Sequence, residues 1–453
     1  MQTVNPATGE VAGSFEDATW EQVARRIDEA AEAQRTWRST PIEERAGVLR
    51  AAARLLRERA GDHAADMARE MGKPITQGRA EIEKCAWLCE HVAAEGPSIL
   101  EPRPVDTDAR RSWVSFQPLG AVLAVMPWNF PFWQVFRFAA PALLVGNTGV
   151  LKHASNVPSS ALAIEGLLRD AGAPAGVFAA VLAGSDLVPR MIAHRGIAAV
   201  TLTGSVAAGR AVARVAGENL KKTVLELGGS DAYLVLADAD VDAAAAVCAQ
   251  SRLINTGQSC IAAKRFIVDR SIAGRFEEAL AARMRAAVVG DPLREETEVG
   301  PLAREDLRDE LHRQVVDSVE RGARLVLGGE IPRRPGAWYP PTVLADVGPR
   351  MPAYEEELFG PVAAIIPADG EEEAIRIAND SRFGLGAAVL TSDVERGAAI
   401  AERALEAGNC FVNTFVRSDP RLPFGGVKDS GYGRELGEIG MLEFVNIKTV
   451  WVA

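Results

Sequence analysis

Three residues of the sequence carry groups that together could perform covalent acyl chemistry. Cys260 ends the segment NTGQSC, Glu226 stands 34 residues earlier in LELGG, and Asn129 lies further upstream in PWNFP. A thiol can attack a carbonyl carbon, a carboxamide can donate to the resulting oxyanion, and a carboxylate can act as a base. Because each segment is marked by glycine or proline, we expect each residue to lie in a loop.

Cys260 is the candidate nucleophile of this set. A free thiol has a pKa of about 8.5, so only a small fraction is thiolate at neutral pH. Local amides or a charged ligand must therefore raise the thiolate fraction. The alternative is a buried structural cysteine, but the adjacent Gly-Gln-Ser and the two partner segments favour a nucleophile.

Asn129 and Glu226 both follow apolar strands. A residue directly after a strand of an open α/β sheet lies at the edge where such sheets bind ligands, and the Asn129 carboxamide could hold an oxyanion there. Partial burial would raise the pKa of Glu226 and suit it to general-base work. The alternatives are a turn asparagine and a structural carboxylate paired with Lys221 or Lys222.

The segments that position these residues alternate between strands and helices. After a mostly helical first 100 residues and a strand at 110–116, we predict strands near 120–126, 149–153, 198–203 and 222–227, and helices near 133–145, 159–170 and 205–216. A second series follows Gly229, with strands near 232–236, 264–269, 324–327, 362–367 and 386–391, and helices near 240–253, 271–288, 305–321 and 394–407. Such alternation is typical of parallel sheets covered on both faces, so two α/β domains are expected.

Composition excludes several classes of protein. The 453 residues are too many for one ordinary core, and 48% apolar with 25% charged residues is usual for a soluble globular chain. A net charge of −11 argues against general nucleic-acid binding. The sequence has no long uncharged apolar run, so we predict no membrane span. The N-terminal MQTVNP has no basic start and predicts a cytoplasmic location.

The five cysteines are scattered and odd in number, which argues against a disulfide framework. Cys85 and Cys89 share one face of a predicted helix, but no histidine or second cysteine pair completes a metal site, so we predict two buried apolar residues and no bound metal. The segment TGSVAAG at 203–209 joins a strand to a helix and could hold a pyrophosphate. It is not the G-x-G-x-x-G pattern, so alone it is weak evidence for a dinucleotide.

Taken together, the motifs resemble those of the aldehyde dehydrogenase superfamily. The segments are PWNFP, LELGG, GQSC, EELFGP at 356–361 and PFGGVK at 423–428, and their order and spacing match over essentially the whole chain. Within the superfamily, LKHASNVP at 151–158, SDPRLPFGG at 418–426 and the C-terminal tail resemble the short bacterial succinate-semialdehyde dehydrogenases that use NADP.

The resemblance implies an aldehyde dehydrogenase-like fold with two doubly wound α/β domains and a small β oligomerisation element. The dinucleotide-binding domain would comprise 1–100 and 119–228, and the catalytic domain 229–441. The oligomerisation element would comprise 101–118 and 442–453. The terminal strand has little beside it in sequence, so we expect it to pair across a subunit boundary in a homodimer or homotetramer.

The resemblance also implies roles for the three catalytic candidates. The Cys260 thiolate would attack the aldehyde carbon, and the Asn129 side chain and the Cys260 backbone N–H would hold the oxyanion. Hydride would pass to a nicotinamide and leave a thioester, which water activated by Glu226 would release as the acid.

Cofactor residues are implied in the same way. The predicted contacts are Trp128, Lys152, Ser155, Gly204, Ser205, Leu227, Gly228, Glu357 and Phe359. Many NAD-preferring relatives have a glutamate three residues after the lysine, where this chain has Ser155. An acidic residue there suits a free ribose 2′-hydroxyl and repels a 2′-phosphate, so we predict NADP, with NAD less preferred.

The predicted substrate is succinate semialdehyde, whose carboxylate needs a cation or several donors. Arg137 and Ser418 match substrate-binding residues of the similar enzymes, and we place Trp133 and Ser259 in the same site. Ile254 stands where longer relatives carry a second arginine, and Arg137 could instead be an exposed helix residue.

Other functions remain open on the sequence alone. A broader dehydrogenase of aliphatic, aromatic or amino aldehydes is compatible with Trp128, Phe132 and Trp133 near the tunnel. A catalytically silent binding protein on this fold is disfavoured by the intact catalytic candidates. A cysteine hydrolase would need a histidine partner for the thiol, and none of the five histidines lies in a recognisable motif.

Overall fold

The structure, a computed structural model, describes residues 1–453 and contains fifteen α-helices. They are α1 (Trp20–Trp37), α2 (Ile42–Glu58), α3 (Ala60–Met71), α4 (Ile75–Ile99), α5 (Trp133–Val145), α6 (Pro158–Asp170), α7 (Val188–Ala193), α8 (Val206–Glu218), α9 (Val241–Leu253), α10 (Ala273–Ala286), α11 (Glu305–Glu320), α12 (Pro352–Glu355), α13 (Glu371–Asn379), α14 (Val394–Arg403) and α15 (Gly437–Met441). The helical character predicted for the first 100 residues is confirmed by α1 to α4.

Twenty strands complete the fold. They are β1 (Gln2–Val4), β2 (Val11–Ser14), β3 (Arg103–Pro104), β4 (Arg111–Pro118), β5 (Ala121–Met126), β6 (Thr148–His153), β7 (Phe178–Ala180), β8 (Ile197–Thr203), β9 (Lys222–Glu226), β10 (Ala232–Val235), β11 (Arg265–Asp269), β12 (Arg324–Leu327), β13 (Thr342–Ala345), β14 (Val362–Ala368), β15 (Phe383–Gly384), β16 (Gly386–Leu390), β17 (Asn409–Val412), β18 (Val427–Lys428), β19 (Gly431–Tyr432) and β20 (Val445–Val452).

The first large sheet has the strand order β19-β9-β8-β5-β6-β7. All its neighbours run parallel except β19, which pairs antiparallel with β9. Successive residues of β5 enter different cores, since Val122 and Ala124 pack in one apolar cluster while Ala121 and Leu123 pack in another. Both faces of the sheet are therefore covered, as the continuous apolar strands predict.

The second large sheet has the order β12-β13-β14-β11-β10-β16-β17 and is parallel except for β12. Its strand β10 also divides between two cores, with Ala232 and Leu234 on one face and Tyr233 and Val235 on the other. The predicted α/β class with two doubly wound sheets is confirmed. The strands that were not predicted from sequence include β7, β13 and β17. They have only three or four residues, which is too short for a clear alternating pattern.

The C-terminal strand has a partner within its own chain. β20 pairs over its whole length with β4 of the same chain, and β3 lies on the other side of β4. The expectation that this strand has little beside it is therefore wrong, while its pairing across a subunit boundary, through its other edge, stays a prediction. The strand also carries Ile447 and Trp451, which are 61% and 51% exposed. The domain boundaries given above stay a prediction.

Two further expectations concern cysteines and membranes. Cys85 and Cys89 are both fully buried in an apolar core, which confirms the prediction that they are packing residues. None of the helices has the length and apolar character that crossing a membrane requires.

Candidate active site

Parallel strand ends bring two of the catalytic candidates to one edge of the first sheet. Asn129 follows β5, and Glu226 is the last residue of β9. In the ladder between β8 and β9, Thr203 stands opposite Glu226, and the backbone N–H of Gly204 donates to the Glu226 carbonyl at 2.9 Å. The glycine-rich start of α8 therefore lies beside the candidate base, as expected for a site at strand ends.

A left-handed turn shapes the chain just before Cys260. Asn255, Thr256 and Gly257 have φ values of 53°, 59° and 75°, a conformation that is unfavourable for a β-branched threonine. A Cβ at Gly257 would also collide with the carbonyl of Gly360 in the EELFGP segment. Glycine is therefore required here both by its dihedral angle and by the close approach of Gly360.

Contacts from distant segments hold this strained turn. Helix α4 stabilises Asn255, because the backbone N–H of Asn255 donates to the Gln77 side-chain oxygen at 2.6 Å. The Thr256 hydroxyl accepts from the N–H of Gly300 at 3.0 Å, and the Gln258 side-chain oxygen accepts from Ala303 at 2.8 Å. Such surrounding bonds are what allows a disfavoured backbone to persist at a functional site.

Lys264 binds the backbone on either side of the nucleophile. Its buried ammonium donates to the carbonyls of Ser259, Cys260 and Ala262 at 3.0, 2.8 and 3.1 Å, and Glu357 lies 3.6 Å away. Three carbonyls thus point at one cation, which fixes the loop that carries Cys260. Sequence analysis missed this lysine, because a lysine four residues after a cysteine carries no motif signal of its own.

The environment of Cys260 favours the protonated form of its thiol. Burial raises its pKa to about 12, although the positive charges of Arg137 and Lys264 act to lower it. The carboxylates of Glu357 and Glu226 add to the rise. The protein alone therefore does not favour the thiolate, which agrees with the expectation that a further group must raise the thiolate fraction.

Asn129 reaches the same loop with its side chain. Its Nδ2 donates to the carbonyl of Gln258 at 3.1 Å, and its backbone carbonyl accepts from Asn255 Nδ2 at 2.7 Å. A carboxamide nitrogen has two N–H groups, so one holds the orientation while the other can still donate to a ligand. Asn129 is buried, and its partner Gln258 stands two residues before Cys260.

A buried ion pair holds the segment that follows Asn129. Glu81 Oε1 accepts from the backbone N–H groups of Phe132 and Trp133, both at 2.9 Å, and its other oxygen pairs with Lys73. The carboxylate satisfies amides at the start of α5, where negative charge is favourable. Neither Lys73 nor Glu81 was identified from sequence, since both lie in regions predicted only as helical.

Glu226 is buried together with a second carboxylate. Burial raises its pKa well above the ordinary value, and the nearby Glu435 adds to the rise, while Arg137 opposes it. The alternative pairing with Lys221 or Lys222 is wrong: Lys221 donates to the carbonyls of Ile192 and His194, and Lys222 pairs with Glu443. A carboxyl with a raised pKa and no lysine partner is suited to proton transfer.

The predicted substrate residues Arg137, Trp133 and Ser418 cluster on and beside α5. Arg137 is 2% exposed, so its alternative as a surface helix residue is wrong; its Nε lies 2.7 Å from Glu435 Oε2, and it also contacts Gln134. Trp133 Nε1 donates to the Ser418 hydroxyl at 3.1 Å. Ser259, the fourth predicted contact, is buried beside Cys260.

Several predicted cofactor residues meet near the two glycines after β9. Glu357 Oε1 accepts from the Gly229 N–H at 3.0 Å, and a Cβ at Gly228 would collide with the same carboxylate. Trp128 and Phe359 pack edge to face with ring centroids 5.7 Å apart. Leu227 is buried against α8, which starts at the Ser205 cap. Glu357 and Phe359 therefore bring the EELFGP segment of the second half of the chain against Gly229 and Trp128 of the first.

The residues predicted at the adenine ribose fit a 2′-phosphate. Lys152 lies near the end of β6, and its ammonium has no carboxylate partner; Ser155 is exposed three residues on. Burial lowers the pKa of Lys152, and Asp186 is the carboxylate whose charge opposes that shift. At the other predicted phosphate position, the Ser205 hydroxyl accepts from Ala208 N at 3.2 Å and caps α8, whose N-terminal amides suit an anion.

The fold and this arrangement of thiol, carboxamide and carboxyl define an enzyme of aldehyde oxidation. The aldehyde dehydrogenase family matches residues 1–450, and the chain belongs to that family. The resemblance stated from the motifs is thereby confirmed over nearly the full sequence.

Individual relatives narrow the comparison. The chain is 49% identical to the probable succinate-semialdehyde dehydrogenase (NADP+) of Synechocystis sp., over 100% of both chains. It is also 49% identical to the succinate semialdehyde dehydrogenase (NAD(P)+) of Escherichia coli, over 99% of this chain and 97% of the relative. The crystal structure of succinic semialdehyde dehydrogenase from Streptococcus pyogenes in complex with NADP+ is 40% identical, with a TM-score of 0.97 over 100% of this chain and 99% of that one.

Proposed function

We propose that this enzyme oxidises succinate semialdehyde to succinate and uses NADP as the hydride acceptor. The observation that carries the proposal is that the Asn129 side chain binds the loop of Cys260 while the charge of Glu226 acts on the same thiol. The ammonium of Lys152, which has no carboxylate partner, suits an anionic cofactor. The similar enzymes named above support both the substrate and the cofactor.

In the proposed mechanism, the Cys260 thiolate adds to the aldehyde carbon. The free N–H of the Asn129 carboxamide and the Cys260 backbone N–H donate to the oxygen that becomes negative. Lys264 keeps these groups in register, because it binds the carbonyls on both sides of the nucleophile. A nicotinamide bound here would supply the hydride acceptor, and loss of hydride from the carbon attached to Cys260 would leave a thioester.

Glu226 acts in the second half of the reaction. Its carboxylate takes a proton from water, the resulting hydroxide adds to the thioester carbon, and the C–S bond breaks to release the carboxylic acid and the Cys260 thiolate. Burial raises the pKa of Glu226, which makes its carboxylate a stronger base than an exposed glutamate.

Replacing Asn129 with alanine should lower kcat by about a hundred- to a thousandfold, because one oxyanion donor is lost. The structure of the loop should change little, because the Asn129 backbone carbonyl still accepts from Asn255. Steady-state kinetics with succinate semialdehyde would check the prediction. Asn219, a part-buried asparagine at the C-terminal end of α8, provides a control in Asn219→Ala, and equal losses in both variants would contradict the role.

The cofactor preference depends on the chain around Lys152 and Ser155. Replacing Ser155 with glutamate should lower kcat/KM for NADP by about ten- to a hundredfold, because a like charge would face the 2′-phosphate. The value for NAD should change much less, and Ser155→Ala serves as the size control. Wild-type enzyme with a higher kcat/KM for NAD than for NADP would overturn the preference itself.

The substrate is tested with a panel of aldehydes and both cofactors, followed at 340 nm. Succinate semialdehyde should give the highest kcat/KM, above butanal, benzaldehyde and amino aldehydes. A flat profile, or a preference for uncharged aldehydes, would favour the broader aldehyde dehydrogenase described above.

We also propose a homodimer or homotetramer built through the element made of 101–118 and 442–453. Its strand β20 has an unpaired outer edge and exposed apolar side chains. Proteins normally cover both features, often with a second subunit. Sedimentation of the wild type should therefore give a mass of two or four chains.

A further inference from the structure

Lys84 on α4 contacts two residues that were predicted to touch the substrate. Its Nζ donates to the Ser418 hydroxyl oxygen at 2.8 Å and lies 4.4 Å from the centroid of the Trp133 ring. Trp133 Nε1 donates to the same oxygen at 3.1 Å. With both lone pairs of that oxygen engaged, the Ser418 hydroxyl proton is left to donate to another group.

The ammonium of Lys84 has no carboxylate partner. Two carboxylates act on it, but Asp419 is held by both nitrogens of Arg421 and Glu81 is held by Lys73. A half-buried cation without a counter-ion is costly, which makes such a position favourable for an anionic ligand.

Lys84 differs from most of the other buried or half-buried lysines in its partners. Of the lysines that are buried or half-buried, Lys73 pairs with a carboxylate, Lys221 binds two backbone carbonyls, and Lys264 does both. Only Lys84 and Lys152 have neither kind of partner. Lys152 is the residue proposed above for the phosphate of the cofactor. Lys84 is therefore the remaining lysine of this group without a carboxylate or backbone carbonyl partner.

Arg137, the cation expected from sequence, is committed to the protein itself. Its guanidinium pairs with Glu435 and with Gln134, and its flat face covers the Phe424 ring with 4.9 Å to the centroid. Its charge nevertheless acts on both Cys260 and Lys84, so Arg137 lies close to both. Since Ser418 and Trp133 are predicted substrate contacts, the Lys84 ammonium that contacts them faces the same site.

We propose that Lys84 binds the distal carboxylate of the substrate, with the Ser418 hydroxyl as the second donor, and so determines specificity for carboxylated aldehydes. The inference rests on the proposed function and adds the residue that reads the tail. In the free enzyme the ammonium rests on Ser418 and Trp133, and the substrate carboxylate supplies the missing negative charge.

The protonation state of Lys84 gives a second signature. Burial, and after it the charge of Arg137, lowers its pKa to about 8, while Cys85, Asp419 and Glu81 oppose the shift. A lowered lysine pKa means that the cation is present below pH 8 and is lost above it. KM for succinate semialdehyde should therefore rise above pH 8, whereas KM for butanal should not share that rise.

The test compares Lys84→Met with wild type on succinate semialdehyde and on butanal, which has the same chain length without the carboxylate. Lys84→Met should raise KM for succinate semialdehyde by about 10- to 100-fold, the loss expected for a charge-assisted bond, and leave butanal within about twofold. Arg54→Met removes an exposed cation of α2 that pairs only with Glu58, and it should behave as wild type. Lys84→Arg should restore binding and remove the rise in KM above pH 8, because a guanidinium stays charged.

The outcomes separate the inference from the proposed function. Equal loss on both aldehydes in Lys84→Met, or a Lys84→Arg profile that still rises above pH 8, would overturn the assignment of Lys84. A wild type that prefers succinate semialdehyde, together with a Lys84→Met enzyme that keeps this preference, would overturn the inference alone. A wild type without the preference would overturn the proposed function, and the inference with it.

Discussion

Replacing Cys260 with alanine should abolish aldehyde oxidation, while the variant still folds and binds NADP. The thiol is the only group at this position that can form the covalent bond to the aldehyde carbon, and alanine retains the backbone N–H and the carbonyl that Lys264 holds. We expect a loss of at least about 10⁴-fold, to the assay background. Formation of NADPH at 340 nm measures the activity, and a shift of Tm with added NADP measures binding.

Cys410 supplies a matched control for this variant. It is also a free, part-buried cysteine, and burial raises its pKa to about 11, but it lies in β17. Cys410→Ala should keep the wild-type rate. A Cys260→Ala enzyme that retains more than a few per cent of the wild-type kcat would disprove the assignment of the nucleophile.

Replacing Glu226 with glutamine should lower steady-state kcat by about 10²- to 10⁴-fold, because water attacks the thioester without its base. The first half of the reaction does not need that base, so a burst of NADPH equal to the enzyme concentration should precede the slow phase. Rapid mixing at 340 nm measures the burst, and mass spectrometry of the quenched enzyme should find the acyl group on Cys260. Absence of both signals would rule out a deacylating role.

The pH dependence of kcat tests the same residue. Burial and the charge of Glu435 raise the pKa of Glu226, so its basic form is scarce at low pH and kcat should rise with pH. Glu435→Gln removes the neighbouring negative charge, and the rising limb should move to lower pH. Glu226→Gln should remove that limb. An unchanged limb in Glu435→Gln would contradict the coupling of the two carboxyls.

Much of the fold could be predicted from sequence because each large sheet is buried on both faces. Strands such as β5, β8 and β14 are therefore continuous apolar runs between turn residues, and helix α5 was bounded at Trp133 and Val145 as the structure has it. The hairpin of β1 and β2 has no such signal, since its exposed three- and four-residue strands have no apolar face.

The catalytic candidates could be located because their backbone surroundings need glycine or proline, which leave a visible mark. Gly257 is required by its positive φ and by the approach of Gly360, and a Cβ at Gly425 would lie 2.8 Å from Glu226 Oε1. Lys84, Lys264 and Glu81 leave no such mark. A lysine on a helix is ordinarily a solvated surface residue, and Lys84 meets Ser418 across 334 residues of chain.

The left-handed turn at Asn255, Thr256 and Gly257 also has a consequence for the order in which the enzyme is made. A growing chain emerges from its N-terminus, so Gln77 and Asn129 are available when the turn appears. Gly300 and Ala303, which donate to Thr256 and Gln258, are synthesised 40 and 43 residues after Cys260. Until they arrive, the disfavoured backbone lacks these two hydrogen bonds. We therefore expect the loop that holds Cys260 next to Asn129 to form only after the chain has been made past Ala303.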